Sequence, residues 1–107
     1  MDMTENLEAM LARGNDGAAL RFALASRYFE RGELERALQH AEVAVALDAD
    51  YSAAWRLLGR IQAASGLDRR AAETYRRGIE IAQRRGDRQV AKEMDVFLRR
   101  LEAAKKE

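Results

Sequence analysis

Catalysis needs a nucleophile, a base or a metal-ligand set held in company, and this chain offers few of the parts. Among 107 residues there is one histidine, His40, and no cysteine. A hydrolytic nucleophile requires a Ser or Cys beside a base that a third group orients. Ser26, Ser52 and Ser65 lie in or beside helical stretches with no strand-turn-helix context around them. The segment Gly14-Asn15-Asp16-Gly17 is too short for a phosphate loop and is not followed by Lys-Ser or Lys-Thr. Acidic residues alternate with basic ones, which argues against a buried catalytic carboxylate pair. No His, Cys or acid cluster has metal-ligand spacing. The expectation is a non-catalytic protein with no cofactor and no metal, its single His40 turned to solvent.

Binding chemistry is better served. Arg56 and Arg60 stand four residues apart, one helical turn, and their fork-shaped donors could jointly grip a carboxylate. Arg69-Arg70, Arg76-Arg77 and Arg84-Arg85 recur at steps of seven and eight, so part of each pair shares a stripe. Such a stripe could meet phosphate backbones, but Asp68, Glu73 and Glu80 interrupt it, and no aromatic residues interleave for base stacking. Nucleic acid is therefore a disfavoured partner. Arg also outnumbers Lys sixteen to three, a compositional bias rather than a local signal.

The elements that position these residues read as helices throughout. Leu7, Met10 and Leu11 form a short stripe that stops at Gly14, with Asn15 or Asp16 able to cap the next helix. Leu20, Ala23, Leu24, Arg27 and Tyr28 recur at three- and four-residue steps up to Gly32. Ala37, Leu38, Ala41, Val45 and Leu47 follow, then Ala54, Trp55, Leu58 and Ile61 up to Gly66, then Ala71, Tyr75, Gly78, Ile79 and Ile81 up to Gly86. A sixth helix opens at Asp87, an N-cap residue, and carries Val90, Met94, Phe97, Leu98 and Leu101. No stretch alternates with period two, so no sheet is expected.

Composition agrees with one folded domain spanning 1–107: 48% hydrophobic, 35% charged, no proline. The opening Met1-Asp2-Met3-Thr4-Glu5-Asn6 is acidic and polar, unlike a secretory signal, and no apolar run suits a membrane span. A cytoplasmic setting is expected. The net charge of +1 hides a split, with −5 over residues 1–53 and +6 over residues 54–107. That asymmetry fits either scattered surface charge or head-to-tail self-association, which makes a homo-oligomer a possible partner state beside an acidic guest.

Residues 18–51 superpose on residues 52–85 at a shift of 34. Leu24 meets Leu58, Ala25 meets Gly59, Gly32 meets Gly66, Ala37 meets Ala71, Ala44 meets Gly78 and Leu47 meets Ile81. Small residues recur where two helices of a hairpin must approach closely, and units that cannot bury their shared face alone must stack. Trp55-x-x-Leu58-Gly59 with Gly66, Ala71, Tyr75 and Gly78 resembles the tetratricopeptide repeat pattern, and Leu24-Ala25-x-x-Tyr28 with Gly32, Ala37 and Ala44 resembles it again. Arg21 stands where the pattern has Trp or Leu, Gln62 where it has Tyr, and Ala49 and Gln83 where it has the closing proline.

The resemblance implies an all-α solenoid of antiparallel helix hairpins: repeat 1 over 18–51, repeat 2 over 52–85, a capping helix over 87–105 and a short helix in front. It also implies a protein or peptide partner held on the concave face by the first helix of each hairpin. Off the packing stripe those helices present Phe22, Ser26 and Phe29, then Arg56 and Arg60, a surface suited to an acidic or carboxylate-terminated peptide. The competing expectation is that Phe22 and Phe29 pack under a flanking helix and the groove is filled.

Overall fold

A computed structural model describes residues 2–105 as six α-helices: α1 (Met3–Ala12), α2 (Ala18–Glu30), α3 (Leu34–Leu47), α4 (Ser52–Ala64), α5 (Asp68–Arg85) and α6 (Arg88–Lys105). No strand occurs among the described residues, so the all-α expectation holds. The helices pack in chain order, with α2 on α3 and α4 on α5 as the intimate hairpins and α6 laid along α5.

Both hairpins turn in the same way. Gly32 and Gly66 adopt φ of 75° and 79°, a left-handed backbone that any residue with a Cβ resists. The amide after each then donates five residues back, Glu33 to the Tyr28 carbonyl at 2.9 Å and Leu67 to the Gln62 carbonyl at 2.8 Å, which closes the helix end. The junction between repeats lacks the proline of the pattern. There the Trp55 indole N–H donates to the Ala49 carbonyl at 2.8 Å, and the Asp48 carboxylate accepts from the Asp50 amide at 3.0 Å. A side chain from the next helix thus fixes the corner that proline would have stiffened.

Two apolar clusters carry the stack. Leu24, Ala25, Tyr28, Ala37 and Ala41 meet Leu57, Leu58 and Ile61 in one. Ala71, Tyr75 and Ala82 meet Ala91, Met94 and Leu98 in the other, and Trp55 packs against both. Missing side chains set the spacing. A Cβ on Gly59 would clash with the ring of the buried Tyr75, 2.6 Å from its Cδ1 and 2.8 Å from its Cζ. One on Gly78 would lie 2.6 Å from Met94 Sδ and 2.9 Å from Trp55 Cβ.

Several local expectations are corrected. His40 does not face solvent: it is half-buried, its ring stacked at 5.6 Å on Tyr28. Arg21 Nη1 lies 3.1 Å from His40 Nδ1 and holds Asp16 through two contacts of 2.7 and 2.8 Å. Asp16 is therefore spent on Arg21, and Gly17 occupies the N-cap of α2 without a side-chain bond. Asp87 is likewise drawn away from the first turn of α6, accepting from the buried Ser52 hydroxyl at 2.5 Å and from Arg85 Nε at 3.3 Å. Met10 turns outward and Thr4 takes the buried place on α1. Leu47, the last residue of α3, is half exposed, whereas Ile81 is buried because α5 runs on for another turn. Gln62 is buried with its Oε1 unpartnered among the described residues.

Two outcomes follow from this packing. Substituting Gly59→Ala gains about 1 kcal/mol of helix propensity, but overpacking a rigid buried ring costs about 1–3 kcal/mol. The Tyr75 ring is fully packed, so urea unfolding should show a net loss of up to about 2 kcal/mol. His40 titrates below its ordinary 6.5, first because burial penalises the cation, with Glu8 pulling the other way and Arg21 adding to the burial effect. A depressed histidine contributes stability above pH 6.5 that drains away as pH falls through that value toward the folded one. An NMR titration of the His40 ring beside a pH series of unfolding midpoints checks both statements. Removing the Glu8 charge with Glu8→Gln should push His40 lower still.

Candidate functional site

The first helix of each hairpin and the last helix of the chain form one row, with α4 between α2 and α6. Side chains at four-residue steps on α4 and α6, and at three to four on α2, then share a face. Phe22, Ser26 and Phe29 come from α2, Arg56 and Arg60 from α4, and Glu93 and Phe97 from α6.

Arg60 is the exposed centre of this face. Its guanidinium carbon lies 5.2 Å from the Phe29 ring centroid and 5.9 Å from that of Phe97, so one cation bridges aromatic rings from α2 and α6. A guanidinium attracted to aromatic rings retains N–H donors for an anion. Among the described residues no carboxylate lies within ion-pair distance of it. Phe97 in turn packs on Tyr75 at 5.7 Å. Burial pushes the Tyr75 hydroxyl up to about 12, with the Arg60 cation opposing, so the phenol stays neutral at physiological pH.

Arg56 is placed differently. Its Nη1 donates to Glu93 Oε2 at 2.8 Å, and Gln89 Nε2 donates to the other oxygen of Glu93 at 3.3 Å. The turn-spaced arginines therefore face separate partners, Arg60 the rings and Arg56 an internal carboxylate. Phe22, half-buried, packs on Tyr51 with ring centroids 5.1 Å apart. Ser26, also half-buried, sits between Phe22 and Phe29 on α2. The structure thus brings Phe29 and Arg60 together and sets Phe22 and Arg56 to either side. Phe97, Glu93 and Tyr51 join the face without having been expected there from sequence. A signal exists for two of them, since Glu93 and Phe97 repeat the four-residue step of Arg56 and Arg60.

No group of three or more potential metal-ligating His, Cys, Asp or Glu side chains occurs among the described residues, and none of their helices is long and apolar enough to cross a membrane.

Comparison with known proteins adds to this geometry. No family model matches the chain. A TPR repeat-containing protein of Pseudomonas aeruginosa is 45% identical over 103 residues, covering 96% of this chain and 98% of its own. The solution structure of a Bordetella parapertussis protein superposes with a TM-score of 0.84 at 43% identity, covering 97% of this chain and 90% of that one. The crystal structure of a tetratricopeptide repeat domain protein from Salinibacter ruber superposes with a TM-score of 0.77 at 27% identity, covering 82% and 98%.

The Arg56–Glu93 pair is partly shielded and joins α4 to α6, so it should couple the two helices measurably. A double-mutant cycle with Arg56→Ala and Glu93→Ala is expected to give an interaction energy of about 1 kcal/mol in unfolding. A value near zero would mean that this ion pair adds nothing to the seating of α6.

Proposed function

The chain belongs to the tetratricopeptide repeat family, and on that premise we propose that it is a non-catalytic interaction module holding an acidic or carboxylate-terminated peptide between α2, α4 and α6. Tetratricopeptide repeats are, as a family, protein-interaction scaffolds. The observation that carries the finer reading is Arg60, exposed and held near the rings of both Phe29 and Phe97. Its side chain is held in place before any guest arrives, so less rotamer entropy is lost when a carboxylate docks. The aromatic rings around it supply apolar area at low entropic cost, and Phe22 with Tyr51 extends that surface along α2.

Arg56 takes a second role in this reading. Its bond to Glu93 mimics the pairing that a guest carboxylate would make, so a guest reaching Arg56 must compete with an internal anion. Selectivity at that position then favours guests that offer a better-placed carboxylate. Phe22, Ser26 and Phe29 line the wall, and Arg60 supplies the charge.

A random peptide array with free C-terminal carboxylates is the direct test. Sequences retained by the wild type should be rich in Asp and Glu or lose binding when the C-terminus is amidated. Against the best of them, Arg60→Glu should weaken affinity about tenfold or more, the cost of a lost charge-assisted hydrogen bond plus repulsion. Phe29→Ala should weaken it less. Retained peptides of neutral or basic character, or equal affinity for the Arg60→Glu variant, would remove the proposal.

A further inference from the structure

Asp16-Gly17 is the one Asp-Gly step in the chain, and Asn-Gly does not occur. A side-chain carboxyl ahead of glycine is open to attack by the next amide nitrogen, because glycine sets no Cβ in the path. Both residues are exposed, and open space surrounds the point where a Gly17 Cβ would stand. Gly17 is extended, at φ −134° and ψ 166°, and caps α2 without a side-chain bond. Its own N–H meets no acceptor among the described residues. The nucleophile is free.

The carboxyl group is not. Arg21 Nε donates to Asp16 Oδ1 at 2.7 Å and Arg21 Nη2 to Oδ2 at 2.8 Å, a two-pronged grip on both oxygens. The remaining guanidinium nitrogen, Nη1, lies 3.1 Å from His40 Nδ1, so Arg21 is held from its far side as well. Asp16 titrates below its ordinary value, first through the Arg21 hydrogen bonds, with burial opposing. Closing a ring onto the carboxyl carbon requires one oxygen to leave as water. A neutral carboxyl does this far more readily than a clasped carboxylate. Arg21 thereby has a chemical role at a position where the repeat pattern carries Trp or Leu.

We propose that Asp16 is a site of spontaneous backbone isomerisation and that the Arg21 clasp restrains it. The Gly17 nitrogen bonds to Asp16 Cγ, its proton and the carboxyl hydroxyl depart as water, and a cyclic succinimide forms. Water then reopens the ring. Entry at Cγ restores aspartate. Entry at the Asp16 backbone carbonyl carbon breaks that carbon's bond to nitrogen and leaves the chain running through Cβ and Cγ, an isoaspartyl residue. Composition is unchanged, and nothing is oxidised or reduced. The product adds a carbon to the backbone just before α2 and moves the carboxylate onto Cα. Arg21 then loses its anchor at the corner between α1 and the first hairpin, beside His40. None of this depends on what the Arg60 face binds.

Warm incubation of the full chain at neutral pH, followed by trypsin digestion, reads the conversion. Cleavage after Arg13 and Arg21 releases the segment Gly14–Arg21. Its isoaspartyl form elutes separately at the same mass, whereas deamidation of Asn15 changes the mass. The intact wild type should convert more slowly than the free Gly14–Arg21 peptide. Arg21→Gln, read on the longer segment Gly14–Arg27, should convert about threefold faster than wild type, the effect of an exposed but two-pronged ion pair. Arg21→Lys, a point charge without the fork, should fall between them. Leu7→Ala, which loosens the packing of α1 and leaves the clasp untouched, should keep the wild-type rate. Circular dichroism checks each fold, and Arg21→Lys carries the test if Arg21→Gln is unfolded. A wild type as fast as the free peptide overturns the proposal, as do Arg21 variants that convert at the wild-type rate. Equal acceleration by Leu7→Ala overturns it too, since general loosening and not the clasp would then set the rate.

Discussion

The absence of one side chain at Gly59 is the constraint on which most of the molecule rests. Because no Cβ stands there, the Tyr75 ring lies close against α4 and the second hairpin closes tightly. Tyr75 so placed supports Phe97 of α6, and Phe97 reaches the guanidinium of Arg60, whose other neighbour is Phe29 of α2. A steric gap in the core is thus transmitted through three aromatic rings and one cation to the exposed face. Gly78 serves the same purpose one layer on, admitting Met94 beside Trp55. Close-packed interiors transmit such demands because no slack exists to absorb them.

Polar contacts decide something else, namely how the ends of the stack attach. Most ion pairs here are exposed and stabilise little. The exceptions sit at the flanking helices. Ser52 to Asp87 and Arg56 to Glu93 tie α4 to the start of α6. At the front, the Tyr28 hydroxyl donates to Glu8 at 2.6 Å, which joins α1 to the first hairpin. Arg21, at a place where the repeat pattern carries an apolar residue, belongs to the same network through Asp16 and His40. A polar assembly of Glu8, Tyr28, His40 and Arg21 therefore replaces the apolar packing found at the equivalent Trp55. Such assemblies depend on the protonation of their members, which apolar packing does not.

Legibility follows the physical range of each interaction. Six helices and their approximate limits are readable from the chain, since hydrophobic periodicity and glycine stops act within a few residues. Leu24, Leu58, Ala37 and Ala71 are readable as core for the same reason. The burial of His40 is not, because only the approach of α1 and the ring of Tyr28 produce it. Asp16 and Asp87 look like caps in sequence, but both carboxylates find stronger partners elsewhere, one in Arg21 and the other in Ser52 and Arg85. That Arg60 shares a helix face with Arg56 can be read from their four-residue spacing. The counter-charge on Arg56 cannot.

The sequence by itself determined the helices, the 34-residue repeat and the small residues that force hairpins together, because each is a matter of local backbone preference and side-chain volume. The tertiary structure alone decided which of two neighbouring arginines is paired with an internal carboxylate. That choice depends on where α6 comes to lie, and its position follows from contacts made across the stack by Met94, Phe97 and Glu93. Pairings between residues nearly forty positions apart leave no periodic trace in a chain, whereas a face repeated every turn does.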